Sequence, residues 1–260
     1  MAMLAASYRR LVGHLCAAFA LSLLSPLCGA LTIGAEDDWY PFTAYRGGRV
    51  VGMSVDIVRA AFETAGTSFE LRPYPYARCM ELTRLGKLPA CFNTSPGPRA
   101  TRDYLLPSEP LFRGWVELWS RRDEAAPIRS LEQIAGSKVA VTSGYDYGPA
   151  FESFAPLKRV PVRRQLNGFR MLQHGRVDFM VAYRGTARAL FDDHPELHDQ
   201  FAVVATLHRP QLFISFSRQH PDAPELLRRF DQGMRAIRAN GRYQQILDIW
   251  QHGREGAWLH

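Results

Sequence analysis

Polar residues stand directly after two of the predicted strands, where a ligand can reach their side chains and backbone N–H groups. Asn93 and Thr94 close a short apolar segment, and both side chains can donate or accept hydrogen bonds. Ser143, Gly144 and Tyr145 begin a strand-to-helix turn, which suits the capture of an anion by backbone amides. In open α/β sheets, ligands bind beyond the carboxyl ends of the strands. These residues therefore predict a site for a small polar solute.

Nucleophilic, nucleotide and metal chemistry lack their sequence motifs in this chain. There is no Gly-x-Ser-x-Gly elbow, no P-loop and no Gly-x-Gly-x-x-Gly. His194 and His198 are four residues apart, but Pro195 follows the first and no acidic third ligand has diagnostic spacing. We expect no catalytic residue, no metal and no cofactor. An enzyme would need an acid or base, and four carboxyl groups stay open for that role: Glu36, Asp37, Glu109 and Asp146.

The first thirty residues have the order of a secretory signal peptide. Arg9 and Arg10 precede an apolar run at 15–24, and the small-residue stretch 28–30 provides a cleavage site after Ala30. The run is short for a membrane span, which takes about 20 apolar residues. We therefore expect 1–30 to be removed and the mature protein to be periplasmic.

Composition and charge fit a globular binding protein. The chain has 260 residues, of which 47% are hydrophobic and 22% charged, so it can form one large domain or two small lobes. Loss of Arg9 and Arg10 with the signal lowers the net charge from +7 to +5. A surplus of this size does not indicate nucleic acid as a partner. We expect a monomer.

Two cysteines are left after the predicted cleavage. Cys79 and Cys91 are twelve residues apart. In an oxidising compartment, an isolated pair favours a disulfide over a metal site. A pair of buried thiols on neighbouring elements is the alternative.

Strands and helices alternate in the first half of the mature chain. Apolar segments at 31–35, 69–73 and 90–93 alternate with helical spacing at 54–65 and 78–85. This order predicts βαβ units and an α/β fold with mostly parallel sheets.

The same alternation restarts after a polar linker at 121–127. Strands are predicted at 138–142 and 177–181, within a second α/β unit that ends near residue 205. Two amphipathic helices close the chain, separated by Asn240-Gly241. The sequence thus predicts two α/β lobes.

Several segments, in order along 31–250, resemble the bacterial extracellular solute-binding proteins of the polar amino-acid type, family 3. Each segment alone is weak evidence for the family, whereas the whole set in the family's order is strong evidence. They are Trp39-Tyr-Pro-Phe42, Gly52-Met-Ser-Val-Asp-Ile57, the 131–145 segment, Leu172-Gln-His-Gly-Arg-Val-Asp178 and the 240–250 tail. The resemblance implies a type II periplasmic binding protein fold, with two lobes joined by two crossover segments. Lobe one would comprise 31–119 and 207–260, and lobe two 120–206.

The resemblance also implies site residues. Trp39, Tyr40 and Phe42 would be pocket walls. An arginine would hold a ligand carboxylate through its planar guanidinium group. The loop that carries this arginine in the family has a different spacing here, so Arg99 and Arg102 are both candidates. Arg78, at the start of a predicted helix, is the third candidate.

Tyr183 stands where amino-acid binders of the family usually have an aspartate that holds the ligand's ammonium group. A tyrosine cannot supply that charge, so an amino acid, a related carboxylate and another polar solute all stay open as ligands.

The function implied by the resemblance is capture of a small polar solute between the lobes for the membrane permease of an ABC importer. Two alternatives stay open. One is a dehydratase-like periplasmic enzyme on the same scaffold, and the other is a sensing module for a membrane receptor. Fold alone does not separate them.

Overall fold

The computed structural model describes residues 31–252, and the predicted signal peptide at 1–30 lies outside this range. Residues 253–260, which we assigned to lobe one, are also outside it. The strands are β1 Thr32–Glu36, β2 Asp38–Trp39, β3 Thr43–Arg46, β4 Arg49–Val51, β5 Glu70–Tyr74, β6 Ala90–Thr94, β7 Tyr104–Leu105, β8 Phe112–Arg113, β9 Val116–Arg121, β10 Lys138–Thr142, β11 Lys158–Val162, β12 Phe179–Tyr183, β13 Phe201–His208 and β14 Gln211–Ser217. The helices are α1 Met53–Thr64, α2 Tyr76–Arg84, α3 Pro98–Asp103, α4 Pro149–Ser153, α5 Gln165–Gln173, α6 Arg184–Asp193, α7 Ala223–Ala239 and α8 Arg242–His252.

The first sheet has the strand order β5-β1-β6-β14-β7, with β8 paired to β14. β1 runs parallel to β5 and β6, as the βαβ alternation predicts. β14 returns from the far end of the chain and pairs antiparallel with β6, β7 and β8. The sheet is therefore mixed, with a parallel half and an antiparallel half.

The second sheet repeats this arrangement in the order β11-β10-β12-β9-β13. β10 is parallel to β11 and β12, whereas β9 is antiparallel to both of its neighbours. Both sheets are flanked by helices, so the predicted α/β fold is confirmed, and mixed describes the sheets better than mostly parallel.

The chain passes between the two sheets at 114–115 and returns at 209–210. The resemblance implies crossings near 118–121 and 206–216, so the observed return lies within the expected range and the first crossing lies a few residues earlier in the chain. β9 pairs over its whole length with strands of the second sheet, and Leu118 and Trp119 face Val181 and Met180 of β12. Residues 116–119 thus belong to the second sheet, because antiparallel pairing with β12 and β13 satisfies their backbone groups.

Close helix packing covers one face of the first sheet. α7 crosses α1 at Gly233, where a Cβ atom would lie 1.9 Å from the carbonyl oxygen of Ala61. Phe230 of the same helix lies against Phe62, with ring centroids 5.4 Å apart. Helix α7 is therefore part of the core of the first half.

Cys79 of α2 and Cys91 of β6 form a disulfide bond, as predicted. Both are fully buried, and their Cα atoms are 6.1 Å apart. The bond ties α2 to the strand whose carboxyl end carries Asn93 and Thr94.

Candidate functional site

The carboxyl ends of strands from the two sheets meet in a cleft. β1 ends at Glu36 and β6 at Thr94 on one side, and β10 ends at Thr142 and β12 at Tyr183 on the other. A small inner cavity of about 20 Å³ lies at this meeting point. Its lining residues are Glu36, Trp39, Tyr76, Asn93, Ser95, Tyr145, Asp146 and Tyr183.

Four of the eight residues that line this inner cavity are aromatic, and they come from both halves. Trp39 meets Tyr183 edge to face, with ring centroids 5.0 Å apart. Tyr76 meets Tyr145 in the same manner at 5.4 Å. Such rings provide apolar contact area and faces that attract cations.

Glu36 is a buried carboxyl group, with 4% of its surface exposed. The hydroxyl of Tyr145 donates a hydrogen bond to Oε1 of Glu36 across the cleft. Burial raises the pKa of Glu36 to about 8, although the hydrogen bond from Tyr145 opposes this, and Asp37 and Asp38 raise the pKa further. Glu36 is therefore mostly protonated at neutral pH unless a cation lies beside it.

Burial also raises the pKa of the hydroxyl groups of Tyr76, Tyr145 and Tyr183 above the usual value of a tyrosine. These hydroxyls consequently stay protonated at any physiological pH. They offer the cavity neutral groups that can both donate and accept hydrogen bonds.

Three buried polar atoms at the inner cavity have no hydrogen-bond partner in the described part of the chain. They are Oδ1 of Asn93, Oγ of Ser95 and Nε1 of Trp39. Asn93 adopts φ +75°, and its Nδ2 donates to Oγ1 of Thr43 at 2.6 Å, which orients the amide. Buried polar groups are rarely left unpaired, so these atoms point to a bound polar partner.

A larger cavity of about 300 Å³ adjoins the inner one and shares Glu36, Tyr76 and Tyr145 with it. We call it the outer cavity. Its remaining lining residues are Asp37, Asp38, Pro75, Ala77, Arg78, Thr142, Ser143, Arg163, Arg164 and Gln165. The outer cavity thus carries both signs of charge, and Arg78 and Ser143 from our predicted set lie there.

Tyr40 and Phe42 line neither of these cavities. Tyr40 lies in a side cleft, where Arg46 stacks on its ring at 3.7 Å. Phe42 is buried and stacks on Phe112, with ring centroids 4.6 Å apart. The neighbouring Trp39 contributes the cavity wall.

Arg99 and Arg102, which lie in the loop whose spacing differs from that of the family, do not line the inner cavity. The side chain of Arg99 is 81% exposed and that of Arg102 is 71% exposed. Both pair with Asp103, Arg102 at 2.8 Å and Arg99 at 3.8 Å. Arg99 borders a neighbouring groove that shares Tyr76, Ser95 and Asp146 with the inner cavity, but Arg99 does not line the inner cavity itself. Neither side chain is placed to hold a group in the inner cavity.

The turn after β10, in the second half, packs against residues of the first half. Gly144 has φ +86° and lies against Ala77, and Oδ2 of Asp146 lies 3.0 Å from the position of a Cβ on Gly97. Oδ1 of Asp146 accepts the backbone N–H of Gly148 at 2.8 Å. Tyr145 and Asp146 therefore reach the inner cavity, whereas Ser143 lies in the outer one.

Asp178 of the matched 172–178 segment and Arg184, the residue after Tyr183, have structural contacts. Oδ2 of Asp178 accepts the backbone N–H of Lys138 at 2.7 Å, which joins β12 to β10. Arg184 pairs with the buried Glu117 at 2.6 Å and lies over the ring of Trp115. Neither lines the inner cavity.

Sequence reasoning missed Tyr76 as a cavity residue and considered Glu36 only as a catalytic group. The available signal was position, since Glu36 is the last residue of a strand that is otherwise apolar. A buried charge at a strand's carboxyl end is typical of a ligand site.

Of the four carboxyl groups that stayed open as the acid or base of an enzyme, three lie at the cleft. Glu36 and Asp146 line the inner cavity and Asp37 the outer one, while Glu109 pairs with Arg238 at 3.2 Å on the surface. Within residues 31–252, no three His, Cys, Asp or Glu side chains are grouped to hold a metal ion. No helix in this range is long and apolar enough to cross a bilayer.

Comparison with known proteins agrees with this geometry. The sequence model of the bacterial extracellular solute-binding proteins, family 3, matches residues 31–253. A probable amino-acid-binding protein, YxeM of Bacillus subtilis (strain 168), is 22% identical over 157 residues, which is 59% of this chain and 59% of that protein. The aligned region thus spans less than two thirds of that relative.

Two solved structures share the fold. One is the substrate-binding protein of an amino acid ABC transporter, 17% identical with a TM-score of 0.72, covering 85% of this chain and 99% of that one. The other is a histidine kinase sensor domain with similarity to periplasmic binding proteins, 22% identical with a TM-score of 0.75, covering 85% and 96%. The family is defined by binding, in agreement with the expectation that the chain is not an enzyme. Since the family model covers nearly the whole described chain, this protein belongs to the bacterial extracellular solute-binding proteins, family 3.

Proposed function

We propose that this protein captures a small polar solute in the cleft between its two halves and delivers it to the permease of an ABC importer. The observation that carries the proposal is the inner cavity, whose walls come from the strand ends of both sheets. A ligand bound there contacts both halves at once, so binding favours their closure.

The proposed division into lobes follows the strand pairing. One lobe comprises 32–113 with 211–252, and the other comprises 116–208. The two short connections at 114–115 and 209–210 are the proposed hinges, since a few residues between elements can absorb such a motion. Export to the periplasm through the 1–30 segment belongs to the same proposal.

The relatives support amino acids as the general class of solute. YxeM is a probable amino-acid-binding protein, and the solved ABC transporter component is the substrate-binding protein of an amino acid transporter. A thermal-shift screen of the protein, expressed as the full chain, tests the function. A ligand at 100 times its Kd stabilises a protein by about 2.7 kcal/mol, which moves the Tm by several degrees. The panel contains amino acids, polyamines, di- and tricarboxylates and aromatic acids, and the recovered ligand is analysed for chemical change.

A shift with the ligand recovered unchanged supports capture and transport. Growth of a strain lacking the gene on that solute as sole nitrogen or carbon source then tests delivery. A recovered ligand that is chemically altered contradicts the proposal in favour of the dehydratase-like alternative.

A sensing role is the second candidate, favoured by the likeness to the histidine kinase sensor domain. Pull-down with the solute-loaded protein separates the two roles. Recovery of an ABC permease supports transport, whereas recovery of a membrane receptor supports sensing.

A further inference from the structure

The charge of the inner cavity is opposite to what a carboxylate ligand needs. Two of its lining residues, Glu36 and Asp146, bear carboxyl groups, and its described lining contains no lysine, arginine or histidine. Arg99 and Arg102 are turned towards Asp103 and solvent. A carboxylate placed in this cavity would face acidic groups without a cationic partner.

The other walls favour a cation. Trp39, Tyr76, Tyr145 and Tyr183 line the cavity, and the face of an aromatic ring attracts an ammonium group. The ring contacts between Trp39 and Tyr183 and between Tyr76 and Tyr145 place these side chains around a single small space.

Unpartnered buried oxygens point the same way, independently of the carboxyl groups. Oδ1 of Asn93 can only accept a hydrogen bond, and Oγ of Ser95 can accept one. Both residues are more than nine-tenths buried and line the cavity, and neither oxygen has a partner among residues 31–252. An ammonium group offers donors to several acceptors at once, whereas the unpaired N–H of Trp39 would suit a neutral oxygen of the ligand.

Resting on the proposed solute-binding function, we propose that the inner cavity holds the ammonium head of a small organic amine, and that the ligand needs no α-carboxylate. Glu36 and Asp146 supply the countercharge, one from each half. The inner cavity of about 20 Å³ admits one small group, and the adjoining outer cavity of about 300 Å³ accommodates the rest of the molecule.

Because of the groups around Glu36, amine binding should be accompanied by release of a proton. The charged and titratable groups that line a cavity together with Glu36 are Asp37 and Asp38 from its own segment, Tyr76 and Arg78 from α2, and Tyr145, Asp146, Arg163, Arg164 and Tyr183 from the second half. Burial raises the pKa of Glu36 to about 8, and an ammonium group beside it lowers that pKa again. Amine binding at pH 7 therefore releases a proton, and affinity rises by up to tenfold per pH unit between pH 6 and 8.

Isothermal titration calorimetry of the protein, expressed as the full chain, with matched pairs of solutes tests the inference. The pairs are agmatine with arginine, cadaverine with lysine and putrescine with ornithine, and each pair differs by one carboxylate. Succinate and glutarate serve as the opposite charge type. We expect at least one amine to bind ten or more times more tightly than its parent amino acid, with proton release in buffers of different ionisation enthalpy.

Variants identify the groups responsible. Glu36→Gln and Asp146→Asn should each weaken amine binding at least tenfold, and Glu36→Gln should abolish proton release. Glu109→Gln makes the same chemical change outside the cleft and should leave both unchanged. Circular dichroism and the Tm of each variant verify folding, and Asp146→Asn tests the site separately if Glu36→Gln fails to fold.

Three results would overturn the inference. Parent amino acids or dicarboxylates that bind more tightly than the amines show recognition of a carboxylate, and they leave the proposed solute-binding function intact. Amine binding that is indifferent to both variants places the cation elsewhere. If no solute of the wider panel binds, the inference and the proposed function fail together.

Discussion

The hydroxyl of Tyr145 donates a hydrogen bond to the carboxyl group of Glu36 and joins the two halves of the molecule across the cleft. Tyr145 follows β10 of the second sheet, and Glu36 ends β1 of the first. Two ion pairs, between Arg46 and Asp193 and between Arg164 and Asp38, lie farther along the same cleft. Of these three polar contacts, the one between Tyr145 and Glu36 borders the inner cavity, and it links cleft closure to the chemistry of the site.

Tyr145→Phe should open the cleft of the unliganded protein. The change removes the hydrogen bond to Glu36 and keeps the ring contacts with Tyr76 and Tyr183. We expect a loss of about 1 kcal/mol in the free energy of unfolding and a larger radius of gyration in small-angle X-ray scattering.

The matched control for this change is Tyr147→Phe. The hydroxyl of Tyr147 accepts the backbone N–H of Thr142 at 2.8 Å within the second half. Its removal should lower stability by a similar amount without changing the radius of gyration. Equal scattering curves for Tyr145→Phe and the wild type would contradict the role of Tyr145 in closure.

The stability of the unliganded protein should fall as the pH rises from about 5 to 8. The pKa of Glu36 is about 8 in the folded protein against 4.5 for the free group, so in this window the folded chain holds a proton that the unfolded chain releases. The contribution is full below pH 4.5 and is lost towards pH 8, at up to about 1.4 kcal/mol per pH unit.

Urea unfolding at several pH values measures this slope. Asp38, Asp56 and Glu117 also have raised pKa values from burial and contribute in the same direction, so the informative quantity is the difference from Glu36→Gln. We expect a flatter profile for the variant. A slope identical to that of the wild type would show that Glu36 does not titrate in this range.

Reduction of the Cys79–Cys91 bond should destabilise the protein. The bond closes a twelve-residue separation, and loops of this size are stabilised by roughly 3 kcal/mol through restriction of the unfolded chain. Scanning calorimetry with and without dithiothreitol measures the change, which we expect to be several degrees in Tm.

A Cys79→Ser, Cys91→Ser double variant provides the comparison for the reduced protein. Its Tm should be low and insensitive to dithiothreitol. A wild-type Tm that dithiothreitol leaves unchanged, under conditions in which free thiols are detected, would be inconsistent with a stabilising bond.

Gly233→Ala should destabilise the first half, although alanine favours a helix by about 1 kcal/mol over glycine. The added Cβ would lie 1.9 Å from the carbonyl oxygen of Ala61, so α7 has to move away from α1. We expect a loss of roughly 3 kcal/mol, within the range of severe core overpacking. Denaturant unfolding measures it.

Gln232→Ala, at the neighbouring position of α7, is the control for helix propensity alone, because Gln232 is exposed. It should change the free energy of unfolding by less than about 0.5 kcal/mol. If Gly233→Ala had wild-type stability, α7 and α1 would have room for a Cβ atom at this position, which contradicts the close approach of Gly233 to Ala61.

Local patterns in the sequence determined the elements of this protein. The alternation of apolar strands and amphipathic helices predicts two α/β units, since side-chain periodicity reports which face of an element is buried. The pairing of Cys79 with Cys91 was also predictable, because export leaves two cysteines. The ordered motifs were sufficient to recognise the family.

Tertiary structure decided which residues form the site. Trp39, Tyr40 and Phe42 are neighbours in sequence, yet Trp39 lines the inner cavity, Tyr40 a side cleft and Phe42 the core. Arg99 is a similar case. Its side chain is exposed and pairs with Asp103 at the end of the short helix α3, so its direction depends on the tertiary structure around this helix. Periodicity shows that a side chain is buried but not what it is buried against, because neighbours across a cleft come from distant parts of the chain.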